Sequence, residues 1–366
     1  MIKFLDLKFQ YNSIKSEIDN AIYSVVNEAA FIGGEYLATF ESQFAKYCDS
    51  KFCIGVGNGT DALEIALEAA GLPEGSEVLV PGNSFISSSE AVTRCGLKVV
   101  FCDVDIHNYT ICPDSIRQYI TEKTSAIIAV HLYGHPCDMD EIMNIAKEHN
   151  LIIIEDCAQA HGALYKGSKV GSLGHFGTFS FYPGKNLGAY GDGGAITTQD
   201  ENFALLARKI ANHGRISKYN HEFEGRNSRL DALQASILST KLAHLDNWTK
   251  KRVLIADFYL ENLIGLGDLV LPKREGWAYQ VYHLYVIRSK HRDDLKKFLE
   301  ENGVQTGVHY PIALPKLAAY KYLGQPDSEA FYNTSDVELL SLPIGEHLTV
   351  EDAGKIVDLI KLFFSQ

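Results

Sequence analysis

The chain has 366 residues, enough at roughly 100–200 residues per domain for one large and one small domain. Apolar residues make up 46 % and charged residues 22 %, the balance of an ordinary globular protein that buries a core without disulfide or metal staples. Acidic side chains outnumber basic ones by 46 to 34, a net charge of −12, which argues against non-specific nucleic-acid binding and against an anionic membrane, though not against one local anion pocket.

The first residues, MIKFLDLKFQYNSIKSEI, lack a basic stretch followed by an apolar one, and nowhere do about 18 apolar residues run without a charge. Neither a signal peptide nor a membrane span is expected. Seven cysteines, an odd number without a CxxC pair, fit free thiols in a reducing compartment, so a cytoplasmic location is expected.

Between residues 50 and 200, short apolar runs alternate with amphipathic stretches. Strands are predicted over Phe52–Val56, Glu77–Val80, Val99–Cys102, Ala126–Val130, Leu151–Ile154, Phe176–Phe181 and Ala195–Thr198. Unbroken apolar runs such as Leu151-Ile-Ile-Ile154 suit strands covered on both faces. Helices are predicted between them: Asp61 to about Ala70, one opening at Pro113-Asp114-Ser115, and one from a capping box of Asp138 and Glu141 to about Asn150. This alternation predicts a mostly parallel α/β sheet. After Asn227 the pattern changes. Ser228 to about Leu263 predicts a long, bent helix, followed by strands over Tyr279–Arg288 and Val304–Val308 and helices over Asp293–Asn302 and Val350–Phe363. This reads as a smaller α+β domain, with residues 1–240 forming the large domain and 241–366 the small one.

Three stretches could carry chemistry. In Phe52-Cys-Ile-Gly-Val-Gly-Asn-Gly-Thr-Asp-Ala-Leu63 a strand runs through a glycine-rich turn into a helix, so the N–H groups of Gly59 and Thr60 would sit at a helix N-terminus suited to phosphate. Taken alone, the stretch is better read as a plain tight turn capped by Asn58 or Thr60, because glycine-rich strand–helix turns are common. A dinucleotide fingerprint fits poorly, because the third glycine and the acid after the next strand are missing. In Leu151-Ile-Ile-Ile-Glu-Asp-Cys-Ala-Gln-Ala-His161 a strand delivers Glu155 and Asp156 at its C-terminal end, where open α/β sheets bind ligands. An acid there could hold a metal, orient a histidine, pair with a protonated ring nitrogen or cap the next helix; His161 reads as a supporting histidine. In Phe176 to Ala195, Lys185 stands alone in a glycine- and aromatic-rich stretch. It is either an exposed loop lysine or one kept neutral by burial, able to form a Schiff base with an aldehyde. His131 and His135 have the i, i+4 spacing of a zinc helix, but Gly134 and Pro136 break such a helix. Asp138-Met-Asp140 reads as capping, and Ser87-Ser-Ser-Glu90 shows no histidine–acid arrangement for a hydrolase. No metal site is expected.

A phosphate turn, a strand-end aspartate and an isolated lysine together suit pyridoxal 5′-phosphate (PLP), which has a phosphate, a ring nitrogen and an aldehyde. Carrying these motifs from Phe31-Ile-Gly-Gly34 to Ser341-Leu-Pro343, the sequence resembles the DegT/DnrJ/EryC1/StrS sugar-nucleotide aminotransferases. The resemblance implies an α/β fold type I PLP-dependent transferase, with a mostly parallel seven-stranded sheet in the large domain. It implies that Lys185 bears the cofactor and moves the proton, that Asp156 pairs with the ring nitrogen, and that Gln159 bonds the ring hydroxyl. Phe85, in Asn83-Ser-Phe-Ile86, would stack on the ring, and Gly59, Thr60 and Ser180 would hold the phosphate. Asn227, in Gly225-Arg-Asn-Ser-Arg-Leu-Asp231, would reach the phosphate from a second subunit of a homodimer with shared active sites. Tyr182, His309 and Tyr310 would face the substrate. The histidine of the family's dehydratase branch is replaced here by Lys185, which argues against dehydration. Val56-Gly-Asn-Gly-Thr-Asp61, Tyr182-Pro-Gly-Lys-Asn-Leu-Gly188 and Gly191-Asp-Gly-Gly194 resemble the branch acting on 3-keto sugars. The implied reaction moves an amino group from L-glutamate to C3 of a dTDP-3-keto-6-deoxyhexose, giving a dTDP-3-amino-3,6-dideoxyhexose of Fuc3N or Qui3N type for surface glycans. The alternatives are a 4-keto-sugar aminotransferase and a non-catalytic sugar-nucleotide binder. His135 departs from the branch, which more often has an amide there, and so bears on substrate orientation.

Overall fold

The computed structural model describes residues 1–324 and 330–365. In chain order the strands are β1 (Phe52–Val56), β2 (Glu77–Pro81), β3 (Lys98–Cys102), β4 (Thr124–Val130), β5 (Ile152–Asp156), the short pair β6 (Leu164–Tyr165) and β7 (Ser168–Lys169), β8 (Phe176–Ser180), β9 (Gly194–Thr198), β10 (Ala278–Tyr279), β11 (Tyr285–Arg288) and β12 (Leu339–Leu342). All seven strands predicted before residue 200 join one sheet in the order β1-β9-β8-β5-β4-β2-β3. β3, β2, β4, β5 and β8 run parallel, and β9 runs against both β8 and β1.

The sheet is buried on both sides because alternate residues point to opposite faces. Val78, Val80, Ile128 and Ile154 pack with Leu63, Ile65 and Ala66 of helix Gly59–Ala69. Leu79, Ile127 and Ile153 point the other way, onto Met139, Ile142 and Ile145 of helix Met139–His149. Each such buried aliphatic side chain contributes about 1.5–3 kcal/mol of transfer free energy. At its C-terminal end β5 continues the alternation, so Asp156 falls on the face of helix Gly59–Ala69 and Glu155 on the opposite one.

Beyond residue 227 the expectations need correction. The stretch from Ser228 to Leu263 forms two helices, Ala232–Leu242 and Leu245–Leu263. The first packs on helices Lys15–Asn27 and Gly34–Tyr47, the second on Val350–Phe364, and one rod cannot serve both. The run expected over Tyr279–Arg288 splits into β10 and β11, because Tyr282 has φ +46°, outside the strand region. Val304–Val308 forms no continuous strand: Gln305 N–H donates to Ile2 O over 3.0 Å and Ile2 N–H to Gly303 O over 2.8 Å, while Gly307 exchanges both its bonds with Ser341, so this backbone is divided between the N-terminal segment and β12 as isolated bridges. The small sheet is the antiparallel pair β11–β12. The Asp138–Glu141 capping box is absent; Asp138 instead accepts the Tyr165 hydroxyl at 2.9 Å. Among the described residues no helix is long and apolar enough to cross a membrane.

Candidate active site

A cavity of about 670 Å³ opens at the C-terminal ends of β4, β5 and β8, and it brings together Gly59, Thr60, Phe85, Asp156, Gln159, Ser180, Tyr182, Lys185, His309 and Tyr310. The N-terminus of helix Gly59–Ala69 forms part of its wall. Asn58 caps that helix, its Oδ1 accepting the Asp61 N–H at 2.8 Å, which leaves the first N–H groups, those of Gly59 and Thr60, without a partner in the described chain. A Cβ on Gly59 would come within 2.6 Å of Ser180 Cβ; only glycine lets the turn close against the end of β8. Thr60 Oγ1 lies 2.7 Å from Ser87 Oγ.

Asp156 is held from two sides. Ser88 Oγ donates to its Oδ2 over 2.8 Å and Ala158 N–H to its Oδ1 over 3.1 Å. Gln159 Oε1 accepts the Tyr133 N–H at 2.8 Å, and its Nε2 donates to the Tyr310 hydroxyl over 3.0 Å. Lys185 follows β8 in a tight loop, its N–H donating to Tyr182 O over 2.8 Å. Its Nζ has no hydrogen-bond partner among the described residues. Burial pushes its pKa down to about 8, against the opposing pull of the Asp156 charge. A substantial fraction of the amine is therefore neutral near pH 8, as a nucleophile and proton carrier requires.

Phe85 and Tyr182 remain 54 % and 60 % exposed, two large aromatic side chains left at the cavity mouth. Phe85 lies 5.9 Å, ring to ring, from Tyr310. His309 is stacked on Phe4 at 5.7 Å, and its Nδ1 lies 2.9 Å from Ser341 Oγ. Asn227 does not reach the cavity within this chain. It is exposed on an open groove with Glu90, Arg94 and Arg226, which shares Asn58 and Thr60 with the cavity rim.

Three histidines singled out from the sequence lie away from the cavity wall. His161 is buried against Phe179 and Phe181, and burial followed by the Lys185 charge lowers its pKa to about 3, leaving it neutral. His135 does not line the cavity: its ring is buried against Trp277 at 5.5 Å, with Nδ1 on Pro136 O. His131 contacts Glu155 and, with Cys157, forms a compact buried cluster of metal-ligand types. Glu155, however, accepts the N–H groups of Gly171, Leu173 and Gly174 at 2.7–2.8 Å as well as His131 Nε2 at 2.9 Å. His131 Nδ1 accepts the Cys137 N–H. With these lone pairs spent, the cluster is a structural network.

Sequence reading missed several cavity residues. Phe4, Leu5, Arg252 and His283 line it but come from segments more than 50 residues from Lys185, with no local pattern to mark them. The Ser87–Glu90 run did carry a signal: its serines contact Thr60 and Asp156 rather than forming a hydrolase site.

Unpartnered N–H groups at a helix start, a carboxylate fixed beneath the cavity and a partly neutral lysine make a donor set that fits PLP's phosphate, ring nitrogen and aldehyde. Fold and site together define a PLP-dependent transferase of fold type I. The chain belongs to the DegT/DnrJ/EryC1/StrS aminotransferase family, whose sequence model matches residues 12–361. It is 44 % identical over 366 residues to the dTDP-3-amino-3,6-dideoxy-alpha-D-galactopyranose transaminase of Aneurinibacillus thermoaerophilus, covering 99 % of both chains. It is similar to the crystal structure of Streptomyces venezuelae DesV in complex with a ketimine intermediate (TM-score 0.97, 40 % identity, 100 % and 99 % of the two chains). The structure of Bacillus subtilis NtdA with bound PMP aligns at TM-score 0.90 and 31 % identity, over 97 % of this chain and 83 % of that one. Other relatives are named for UDP- and GDP-linked sugars. The protein is thus a sugar aminotransferase that uses PLP.

Proposed function

We propose that the protein moves an amino group from L-glutamate to C3 of a dTDP-3-keto-6-deoxyhexose, giving a dTDP-3-amino-3,6-dideoxyhexose for surface glycan synthesis. The convergence of Lys185 and Asp156 on one cavity carries the chemistry of this reading. The nucleotide and the position of amination are supported by the 44 % identity to a dTDP-3-amino-3,6-dideoxy sugar transaminase over the full chain.

When bound, PLP supplies an electron sink that stabilises negative charge on the carbon losing a proton. The side chains provide the rest. The N–H groups of Gly59 and Thr60, with the Ser180 hydroxyl, bind the phosphate at the positive end of the helix dipole. Asp156, fixed by Ser88 and Ala158, would pair with the ring nitrogen and keep its proton in place. Gln159 would bond the ring hydroxyl, and Phe85 would cover the ring. Lys185 Nζ, with no hydrogen-bond partner among the described residues, would take up the proton lost from the amino donor's α-carbon, hold it as the ammonium and give it back to complete the transfer. Tyr182, His309 and Tyr310 form the substrate-facing wall.

In this reading the active enzyme is a cytoplasmic homodimer, with Asn227 of one subunit completing the phosphate site of the other; the exposure of Asn227 beside Asn58 and Thr60 supports this. The division between large and small domains falls near residue 240, where two helices with different packing partners meet.

The test is the visible spectrum of the PLP-loaded protein. L-Glutamate should bleach the cofactor band, and a dTDP-3-keto-6-deoxyhexose should restore it, with the new amine found at C3 by NMR. Recovery with the 4-keto isomer alone moves the assignment to that substrate. A protein that binds the sugar nucleotide but develops no band is a binder instead.

A further inference from the structure

We infer that Lys241 is a positioning residue for Lys185, acting through the loop that joins β8 to β9. The inference rests on the reading of Lys185 given above. Lys241 lies near the end of helix Ala232–Leu242 and is 1 % exposed. Its Nζ donates to Gly188 O over 2.7 Å and lies 4.2 Å from the centre of the Tyr190 ring. Seven residues earlier on the same helix, Gln234 Oε1 accepts the Tyr190 N–H at 2.8 Å. Residues seven apart share a helix face, so one face grips the loop at two points, three and five residues beyond Lys185.

The loop needs such a grip. From Tyr182 to Gly194 it has five glycines, which give it little stiffness of its own. Three backbone hydrogen bonds shape it, Lys185 N–H to Tyr182 O and Ala189 N–H to Phe181 O, both at 2.8 Å, and Phe181 N–H to Gly193 O at 2.7 Å across its base. The helix that grips it is itself packed on Gly34–Tyr47 and Lys15–Asn27, a rigid base. A lysine is a costly anchor: burial pushes its pKa down to about 8, with Glu346 pulling the other way, whereas methionine would fill the same space without a charge to desolvate. What methionine cannot supply is a donor to Gly188 O. Since the chemistry requires the amine of Lys185 to be held to within a fraction of an ångström of its productive position, a loop released at Gly188 costs rate rather than affinity.

The experiment compares Lys241→Met and Gln234→Leu with the parent enzyme, each loaded with PLP. Borohydride reduction and peptide mapping first establish that the cofactor sits on Lys185; failure there overturns the reading of Lys185 and leaves the anchor without a function to serve. With attachment at Lys185, the expected result is a fall in kcat of about tenfold or more for Lys241→Met. Gln234→Leu should lose less, KM for both substrates and cofactor content should stay within twofold, and the pH midpoint of the visible band should shift. Rates and midpoints equal to the parent in both variants overturn the inference. So does a loss of rate that only follows the loss of folded, cofactor-loaded protein.

Discussion

Ser88 Oγ donates to Asp156 Oδ2 over 2.8 Å, tying helix Ser87–Arg94 to the end of β5. A second bond, from Ser84 Oγ to Ser88 Oγ at 2.8 Å, extends the chain to the loop that carries Phe85. The carboxylate beneath the cavity and the aromatic ring at its mouth are therefore braced by one run of hydroxyls.

That brace makes Asp156 sensitive in two degrees. Asp156→Asn should fold and bind PLP yet lose roughly 10²-fold or more in kcat, because an amide cannot hold a proton on the ring nitrogen. Ser88→Ala should cost about tenfold, the scale of one hydrogen bond to a charged group. Steady-state kinetics on the two variants check the ranking; equal losses would contradict it.

Lys185→Ala should lose roughly 10³-fold or more in turnover while retaining reversibly bound PLP, since the phosphate and ring contacts come from other residues. Kinetics together with cofactor content after gel filtration measure both effects.

The lowered pKa of Lys185, about 8 against the ordinary 10.5, also predicts a pH-dependent stability. Below pH 8 the amine is charged in both folded and unfolded chains, and the folded state carries the full desolvation cost, about 3 kcal/mol. Between pH 8 and 10.5 the unfolded chain holds the proton and the folded one does not, so the cost fades as pH rises. The cofactor-free Lys185→Met protein should therefore melt above the cofactor-free parent at pH 7, with the gap closing toward pH 10. Calorimetry at both pH values tests it.

Glu155 is fully buried and accepts three backbone N–H groups and the His131 ring. Glu155→Gln replaces an acceptor with a donor inside that network, and a loss of about 3–5 kcal/mol is expected. Thermal melts should show a large drop in Tm, while specific activity per folded molecule at low temperature stays near that of the parent.

Much of this was legible in the residues. The seven strands of the sheet were marked by apolar runs bounded by turns, and the glycine turn, Asp156 and Lys185 by local pattern and resemblance. The misreadings share a cause. Val304–Val308 carries strand-forming residues, but its hydrogen bonds are split between Ile2, some 300 positions away, and Ser341. Asp138 and Glu141 have capping-box spacing, but the Tyr165 hydroxyl takes the carboxylate first. In both, a distant partner outcompeted a local preference worth about 1 kcal/mol.

The sequence by itself determined the fold class and the cofactor and singled out Lys185 as the lysine to bear it, because hydrophobic period and the chemistry of aldehyde, phosphate and pyridine each demand particular residue types at short range. Only the tertiary structure decided between neighbours of equal chemistry. Glu155 and Asp156 are both strand-end acids, and the alternation of β5 sends one into a saturated structural network and the other into the cavity. Of two buried lysines with similarly lowered pKa values, Lys185 meets the cavity and Lys241 meets Gly188 O. Side-chain direction and the identity of distant partners assign these roles, and neither is written in local order along the chain.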